Sequence, residues 1–266
     1  MLTTALTIAG FDGSGGAGLQ ADLKTFSALG CYGMNVLTAL PIQNTCGVRN
    51  CFNLPLAAIE EQLDAIFSDI TPNVIKIGML FNQEIVHLVA EFLSQHAQNI
   101  PIVLDPVMVA KSGDYLLLPE AIETLKRELI PQVTLITPNI NEAQALSNMK
   151  IKTPSDMLKS AEIIHTLGNV NVLLKGGHLD GISCDDLLFT SSAQHWFKAP
   201  RIETINTHGT GCTLSAAIAA NLAQGQDLVS SCQNAKDYLY QAMLSFKDVT
   251  IGHGHGPVNH FHQWWS

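Results

Sequence analysis

The feature that most constrains this fold is a regular alternation of short apolar runs with longer amphipathic segments. The apolar runs predict strands at 6–9, 35–40, 74–77, 100–105, 133–138 and 170–175. The segments between them predict helices at 19–29, 56–67, 84–95, 119–129, 141–146 and 155–167. Strands that alternate with helices pair in parallel and are covered on both faces, so the pattern predicts an α/β fold.

The last third of the chain departs from this alternation. Two strand-like runs, 185–190 and 194–199, are separated by three residues and predict a hairpin. A hairpin favours an open, mostly parallel sheet with helices on both faces over a closed eight-fold barrel. Helices at 212–223 and 232–246 follow, and no linker or repeat divides the sequence, so we expect residues 1–266 to form one domain.

Composition narrows the class of ligand. Charged residues make up 14% of the 266 residues and the net charge is −9, which argues against disorder and against a nucleic-acid partner. The six cysteines include no C-x-x-C pair, no apolar run reaches membrane-spanning length, and the N-terminus lacks a basic targeting region. We therefore expect a cytoplasmic protein that acts on small molecules and has no membrane partner.

Polar residues, glycines and one methionine follow the predicted strands. They are Gly10, Asp12, Gln43, Asn44, Gly78, Met79, Asp105, Asn139, Lys175, Gly176 and Gly177. The carboxyl ends of the strands form the ligand crevice of open α/β sheets, so we expect these residues to share one site. Ordinary loop chemistry is the alternative, because strand-to-helix turns are polar in any protein.

The glycine-rich stretch 13–18 matches the dinucleotide-binding pattern G-x-G-x-x-G. That pattern also requires an acidic residue about 20 positions later, and the sequence has no Asp or Glu between Asp22 and Glu60. A dehydrogenase is therefore disfavoured. We interpret the glycines as allowing close approach of a small ligand, with Asp22 one helical turn beyond Gly18; helix-to-strand packing explains some of the glycines but not Asp22.

A second set of residues indicates phosphoryl transfer without a P-loop. Lys175 can reach phosphates, while Asp105, Asn139 and Glu142 offer oxygen ligands to Mg²⁺ or its waters. Asn139 and Glu142 also fit a helix cap with its acidic partner three residues on. Taken together, the four residues outline a kinase.

The stretch THGTGC, residues 207–212, places Gly209, Thr210 and Gly211 immediately before Cys212 at a predicted helix start. Backbone N–H groups and the helix dipole at such a turn suit an anion. The dipole lowers a thiol pKa, whereas a bound phosphate raises it, so the sequence leaves the charge of Cys212 open. A small buried cysteine with no chemical role is the alternative.

The C-terminal tail holds four histidines separated by glycine and proline. No acidic or cysteine ligand accompanies them, so we do not predict a metal site there. We expect Trp264 and Trp265 to anchor the tail by burial.

Several long motifs carry a family resemblance that runs from residue 5 to the last tryptophans. They are AGFDGSGGAGLQADLKTFSALG, QNTCGV, KIGML, LDPVM with AKSGD, LITPNINEA, LLKGGH, NTHGTGCTLSAA and the GPVNHFHQWW tail. In these motifs the chain resembles the hydroxymethylpyrimidine/phosphomethylpyrimidine kinases of thiamine biosynthesis, within the ribokinase-like superfamily.

The resemblance implies a ribokinase-like sheet of about eight strands, a homodimer, and two successive phosphorylations that use ATP and Mg²⁺. It implies that Gln43 binds the aminopyrimidine and that Asp22, Gly10, Met79 and Val107 complete that pocket. Lys175, Asn139 and Glu142 would serve the nucleotide, Asp105 and Glu142 the metal. Gly209, Thr210 and Gly211 would form the anion hole beside Cys212 as proton acceptor.

The sequence departs from the family pattern at two positions, and two other functions are alternatives to this interpretation. Phe11 stands where the branch usually has Ser or Thr, and Pro41 precedes Ile42 and Gln43, which leaves the balance between the two substrates open. Cysteine at 212 replaces the aspartate of the wider superfamily but fits the pyrimidine-kinase branch. The alternatives are a pyridoxal or pyridoxine-type vitamin kinase, against which Gln43 argues, and a non-catalytic pyrimidine sensor, which needs neither Lys175 nor Cys212.

Overall fold

The computed structural model describes residues 2–109, 116–177 and 183–265. The AKSGD motif and His178, the last residue of the LLKGGH motif, lie outside these described residues. No helix in these ranges is long and apolar enough to cross a membrane.

An eight-stranded sheet with the order β10-β9-β8-β7-β6-β5-β1-β2 forms the centre of the fold. Neighbours from β2 to β8 pair in parallel, whereas β8, β9 and β10 pair antiparallel. The strands are β1 Thr3–Ala9, β2 Cys31–Leu37, β5 Val74–Ile77, β6 Ile102–Leu104, β7 Leu135–Ile136, β8 Asn171–Leu174, β9 Asp186–Phe189 and β10 Gln194–Phe197. The predicted mostly parallel sheet and its hairpin are confirmed.

Helices cover both faces of the sheet. They are α1 Gly18–Ala28, α2 Leu56–Phe67, α3 Gln83–His96, α4 Ala121–Thr124, α5 Ile140–Ser147, α6 Pro154–His165, α7 Thr210–Ala223 and α8 Leu228–Ser245. Helix α4 continues as a π-helical turn, Leu125–Leu129. Helices α1, α7 and α8 share one apolar core, and α2 to α6 share the other. Along β1, Leu6 and Ile8 enter the second core and Ala5 the first, as the two-residue period of a strand requires.

The order of the strands creates the crevice. The chain leaves β1 to form β2 on one side of it and later returns as β5 on the other side. The loops that follow β1 and β5 therefore run in opposite directions, and the gap between them is where ligands bind in open α/β sheets.

The structure corrects two expectations. The run 35–40 is not one strand: it ends β2, breaks at Thr38, and opens a separate two-stranded hairpin of β3 Ala39–Asn44 and β4 Gly47–Asn53. The Thr38 hydroxyl donates to the Met79 carbonyl at 2.6 Å, which fixes the break. The expected burial of Trp264 and Trp265 is wrong, because their exposed fractions are 70% and 58%.

Candidate active site

One cavity of about 850 Å³ lies at the carboxyl ends of the parallel strands. Twelve of the thirteen predicted site residues line it: Gly10, Gln43, Met79, Asp105, Val107, Asn139, Glu142, Lys175, Gly209, Thr210, Gly211 and Cys212. Asp22 does not line the cavity and lies buried behind its wall. Residues up to 202 positions apart in sequence, Gly10 and Cys212, thus line one cavity, as expected from their places at strand ends.

The glycine loop between β1 and α1 is built around the Asp12 carboxylate. Asp12 accepts hydrogen bonds from the N–H groups of Ser14, Gly16 and Ala17 at 2.7–3.0 Å. Burial opposes the charge, but these bonds and a contact with His208 lower the Asp12 pKa to about 2. An ionised Asp12 therefore holds the loop in shape without itself lining the cavity.

The Gly209–Cys212 turn, which we call the anion turn, packs directly on that glycine loop. Gly209 has φ +76°, and a Cβ there would lie 1.8 Å from the Gly16 carbonyl oxygen, so only glycine fits. Gly209 caps α7 without any side-chain hydrogen bond. The N-terminal turn of this 14-residue helix lines the cavity, where backbone N–H groups and the helix dipole favour an anion.

A lysine and a carboxylate lie next to the anion turn. Lys175 Nζ donates to Asp105 Oδ1 at 2.9 Å. A Cβ built on Gly211 would lie 3.2 Å from Asp105 Oδ2 and 3.4 Å from Lys175 Nζ. Burial works against the Lys175 charge, but Asp105 and Glu142 raise its pKa, so the ammonium is retained. The cation, the carboxylate and the helix N-terminus therefore surround one point.

Asn139 and Glu142 are confirmed as a helix cap and also line the cavity. Asn139 Oδ1 accepts from the Glu142 N–H at 3.0 Å, and Glu142 Oε2 accepts from the Asn139 N–H at 2.8 Å. Burial raises the Glu142 pKa to about 7, against the opposing effect of Lys175. The two interpretations of this pair, cap and site, are compatible.

Cys212 carries a neutral thiol in this environment. Burial raises its pKa to about 11, although the Lys76 ammonium and the Gly18 N–H both lower it. A pKa of about 11 makes the protonated thiol the main form of Cys212 at neutral pH.

Lys76 and Asp22 form a buried ion pair near Cys212 that was not predicted from the sequence. Lys76 Nζ lies 2.8 Å from Asp22 Oδ2, both side chains are fully buried, and Thr7 donates to the same carboxylate oxygen at 2.6 Å. Burial opposes the Lys76 charge, but the Asp22 and Asp105 carboxylates raise the Lys76 pKa. The signal was present in the sequence, because Lys76 interrupts the apolar strand 74–77.

A second buried pair, also missed, supports the turn after β8. Lys236 Nζ lies 2.6 Å from Asp186 Oδ2, while Asp186 Oδ1 accepts from the Gly176 N–H at 2.9 Å. Both side chains line the cavity. The pair thereby fixes the glycine next to Lys175.

Gln43, on β3, belongs to another part of the cavity wall. Its Nε2 donates to the Phe11 carbonyl at 3.0 Å, which leaves Oε1 and a second N–H for a ligand. Phe11, Met79 and Val107 supply apolar walls next to it. This part of the cavity suits a flat ring with a polar edge.

The acidic residues fit a magnesium ion only if a ligand completes the shell. The described residues contain no group of three side chains that could hold a metal. Mg²⁺ commonly takes one or two carboxylates and fills its shell with phosphate oxygens and water. Asp105 and Glu142, two carboxylates that both act on the charge of Lys175, match that arrangement.

The chain is similar over nearly its whole length to known pyrimidine kinases. The family model described as phosphomethylpyrimidine kinase matches residues 12–259. Hydroxymethylpyrimidine/phosphomethylpyrimidine kinases from Salmonella typhimurium and Escherichia coli are each 51% identical over 263 residues, covering 98% of both chains.

The fold is similar to solved structures of both phosphomethylpyrimidine kinases and pyridoxal kinases. A phosphomethylpyrimidine kinase from Clostridium difficile is 44% identical with a TM-score of 0.80, covering 91% of this chain and 99% of that one. A pyridoxal kinase from Bacillus subtilis, in complex with ADP, is 36% identical with a TM-score of 0.90 and covers 99% of both chains. A pyridoxal kinase from Staphylococcus aureus, with AMP-PCP and pyridoxal, is 35% identical with a TM-score of 0.90, covering 99% of this chain and 95% of that one.

Proposed function

The chain belongs to the phosphomethylpyrimidine kinase family, and we propose that it catalyses two successive ATP-dependent phosphorylations for thiamine biosynthesis. The first converts 4-amino-5-hydroxymethyl-2-methylpyrimidine to its monophosphate, and the second converts the monophosphate to the diphosphate. The full-length similarity to enzymes of that name supports both steps.

One observation carries this proposal: a single cavity is lined both by Gln43 and by the anion turn beside the Lys175–Asp105 pair. Phosphoryl transfer is catalysed mainly by positioning and by stabilisation of negative charge. Lys175 and the α7 N-terminus supply that stabilisation, and Gln43 supplies recognition of the amine and ring nitrogen of an aminopyrimidine.

In the proposed reaction the substrate hydroxyl oxygen attacks the γ-phosphorus of ATP as the bond to the ADP oxygen breaks. The N–H groups of the anion turn hold the oxygens of the transferred phosphoryl group, and Lys175 neutralises charge on the phosphates. The hydroxyl proton passes to the Cys212 thiolate, the minor form of that group at neutral pH. Buried Lys76 stabilises this thiolate electrostatically.

The proposal assigns Asp105 and Glu142 to Mg²⁺ and Lys175, Asn139 and Glu142 to the nucleotide. The metal would neutralise charge on the nucleotide phosphates. The relatives bound to ADP and AMP-PCP support the use of ATP.

We also propose a homodimer in the cytoplasm. Tyr32 on the edge strand β2 and Phe52 on the β3–β4 hairpin expose half of their surfaces, as expected of side chains that a second copy covers. All six cysteines are free, which suits a reducing compartment.

Pyridoxal phosphorylation is the second candidate, because the two pyridoxal kinases named above superpose with TM-scores of 0.90. A direct assay separates the candidates. ADP release is measured with the hydroxymethylpyrimidine, its monophosphate and pyridoxal offered separately, and the products are identified by mass. We expect turnover of both pyrimidines; turnover of pyridoxal alone, or pyrimidine binding without any turnover, would contradict the proposal.

A further inference from the structure

The C-terminal segment 252–257, with sequence GHGHGP, has no role in the site described so far. None of its residues lines the cavity that the described chain forms. Its three glycines nevertheless pack closely, because a Cβ on any of them would lie 2.3 Å or less from a neighbouring atom. The segment therefore has a defined packing position outside the cavity.

One end of the segment holds the tip of the β3–β4 hairpin. The His255 N–H donates to the Thr45 carbonyl at 2.8 Å, and the Gly254 N–H donates to the Thr45 hydroxyl at 3.3 Å. A Cβ on Gly254 would lie 2.0 Å from the Thr45 carbonyl oxygen. Because that atom belongs to the backbone, a side chain at 254 would displace the hairpin tip.

The other end of the segment holds the residue that precedes the anion turn. The His208 N–H donates to the Gly256 carbonyl at 3.0 Å, and His208 pairs with Pro257 as a parallel bridge. Beyond the segment, Asn259 and His260 are buried, and His260 contacts the Thr213 hydroxyl of α7 at 3.1 Å. The segment is thus anchored to the helix that begins in the anion turn.

The hairpin needs such support. It lies outside the eight-stranded sheet, and an isolated two-stranded hairpin is marginally stable in water. It also carries Gln43, two residues before Thr45. A movement of the tip therefore moves Gln43 relative to the anion turn.

We propose that residues 252–257 form a clasp that fixes the distance between Gln43 and the anion turn, with Gly254 as a positioning residue for the pyrimidine. The clasp sets how the pyrimidine hydroxyl is presented to the transferred phosphoryl group without touching either. This inference rests on the proposed function, because it takes Gln43 as the side chain that binds the pyrimidine.

The test compares Gly254→Ala with Gly225→Ala by steady-state kinetics and by hydrogen–deuterium exchange. Gly225 has φ +84° and nothing within 4 Å of a Cβ, so its substitution strains the backbone far from the clasp. For Gly254→Ala we expect the KM for the pyrimidine to rise about five- to tenfold, the effect of one lost hydrogen bond, with the KM for ATP unchanged. Amides of residues 39–53 should exchange faster in Gly254→Ala only.

If Gly254→Ala does not fold, Thr45→Val is the second variant, because it removes only the hydroxyl that the Gly254 N–H contacts. We expect it to raise the KM for the pyrimidine two- to threefold, about half the effect of a full hydrogen bond. Unchanged exchange of the hairpin, or an equal rise in both KM values, overturns the clasp. Hydrogen–deuterium exchange can be measured without turnover. If the wild-type protein phosphorylates no pyrimidine, the proposed function is overturned, and the exchange rates of the hairpin amides still test the clasp.

Discussion

His208 Nε2 lies 2.8 Å from Asp12 Oδ2, although 196 positions separate the two residues in sequence. The contact joins the glycine loop after β1 to the residue that precedes the anion turn. A Cβ on Gly16 would lie 2.5 Å from His208 Cδ2, so the two loops touch as well as pair. One ionised carboxylate therefore determines the shape of both loops.

Asp12→Asn tests this relationship through the pH dependence of stability. The Asp12 pKa is lowered from 3.8 to about 2 in the folded chain, so the ionised form contributes about 2 kcal/mol of stability. Because folding lowers the Asp12 pKa, the ionised carboxylate makes its full contribution to the stability of the fold at pH values above its unfolded-state pKa of 3.8. That contribution is lost as the pH falls towards 2. In urea unfolding we expect Asp12→Asn to be about 2 kcal/mol less stable than wild type at pH 6 and equal to it near pH 2. A constant difference across this range would show that the charge of Asp12 is irrelevant.

The buried pair of Lys76 and Asp22 gives a second stability prediction. Lys76→Met leaves a buried carboxylate without its cation and should cost about 3–5 kcal/mol in urea unfolding at pH 7. Asp22→Asn in the same chain removes that charge, so the double variant should regain most of the loss. The amide oxygen can still accept from Thr7, which makes asparagine the matched replacement. Single costs that add without interaction would exclude a coupled pair.

The strand ends and the β9–β10 hairpin could be predicted from sequence because they depend on local pattern, but contacts between side chains on strands far apart in sequence could not. Lys76 and Thr7 are each a polar residue within an apolar strand. They face each other only because β1 and β5 are neighbours, in a register that pairs Thr7 with Lys76. Asp22 joins them from α1, 54 positions away from Lys76. The sequence therefore indicated that a buried lysine needs a partner but not which carboxylate it meets.

The β3–β4 hairpin was missed for a different physical reason. Strand β3 contains Pro41, which cannot donate a ladder hydrogen bond, and β4 has no buried residue to create an alternating pattern. A hairpin held by neighbouring loops leaves little hydrophobic signal. Gln43 was nevertheless identified, from its place after a predicted strand and from the family resemblance, while its position in the same cavity as the anion turn required the structure.

Gln43→Leu is the prediction that separates the two candidate substrates. The side chain offers one acceptor and one free donor to an aminopyrimidine edge, each worth about 1 kcal/mol. We expect the KM for the hydroxymethylpyrimidine to rise about 10- to 30-fold, with the KM for ATP within twofold of wild type. Any activity on pyridoxal should change less, because its aldehyde edge does not match the amide. An equal loss with both substrates would mean that Gln43 shapes the cavity and does not read the amine.

The role of Cys212 is tested by the pH dependence of kcat. Only the thiolate accepts a proton, and the Cys212 pKa is raised to about 11, so the reactive fraction grows tenfold with each pH unit below that value. We therefore expect log kcat to rise with a slope near 1 from pH 7 to about 10. Cys212→Ala should lose about 10²–10⁴-fold in kcat and retain pyrimidine binding, as expected for a group used in proton transfer. Cys232→Ala, a buried cysteine that does not line the cavity, is the matched control and should keep the slope.

Cys212→Asp makes the same argument from the opposite direction. An aspartate at this position has an ordinary pKa near 4, far below that of the thiol, so it should be ionised at a much lower pH even if burial and the neighbouring Asp105 raise its pKa. The rise of log kcat with pH should then disappear in the upper part of the range, while measurable turnover remains. If the slope near 1 persisted in both Cys212→Ala and Cys212→Asp, the titrating group would be elsewhere, and Cys212 would be a neighbour of the anion turn without a part in proton transfer.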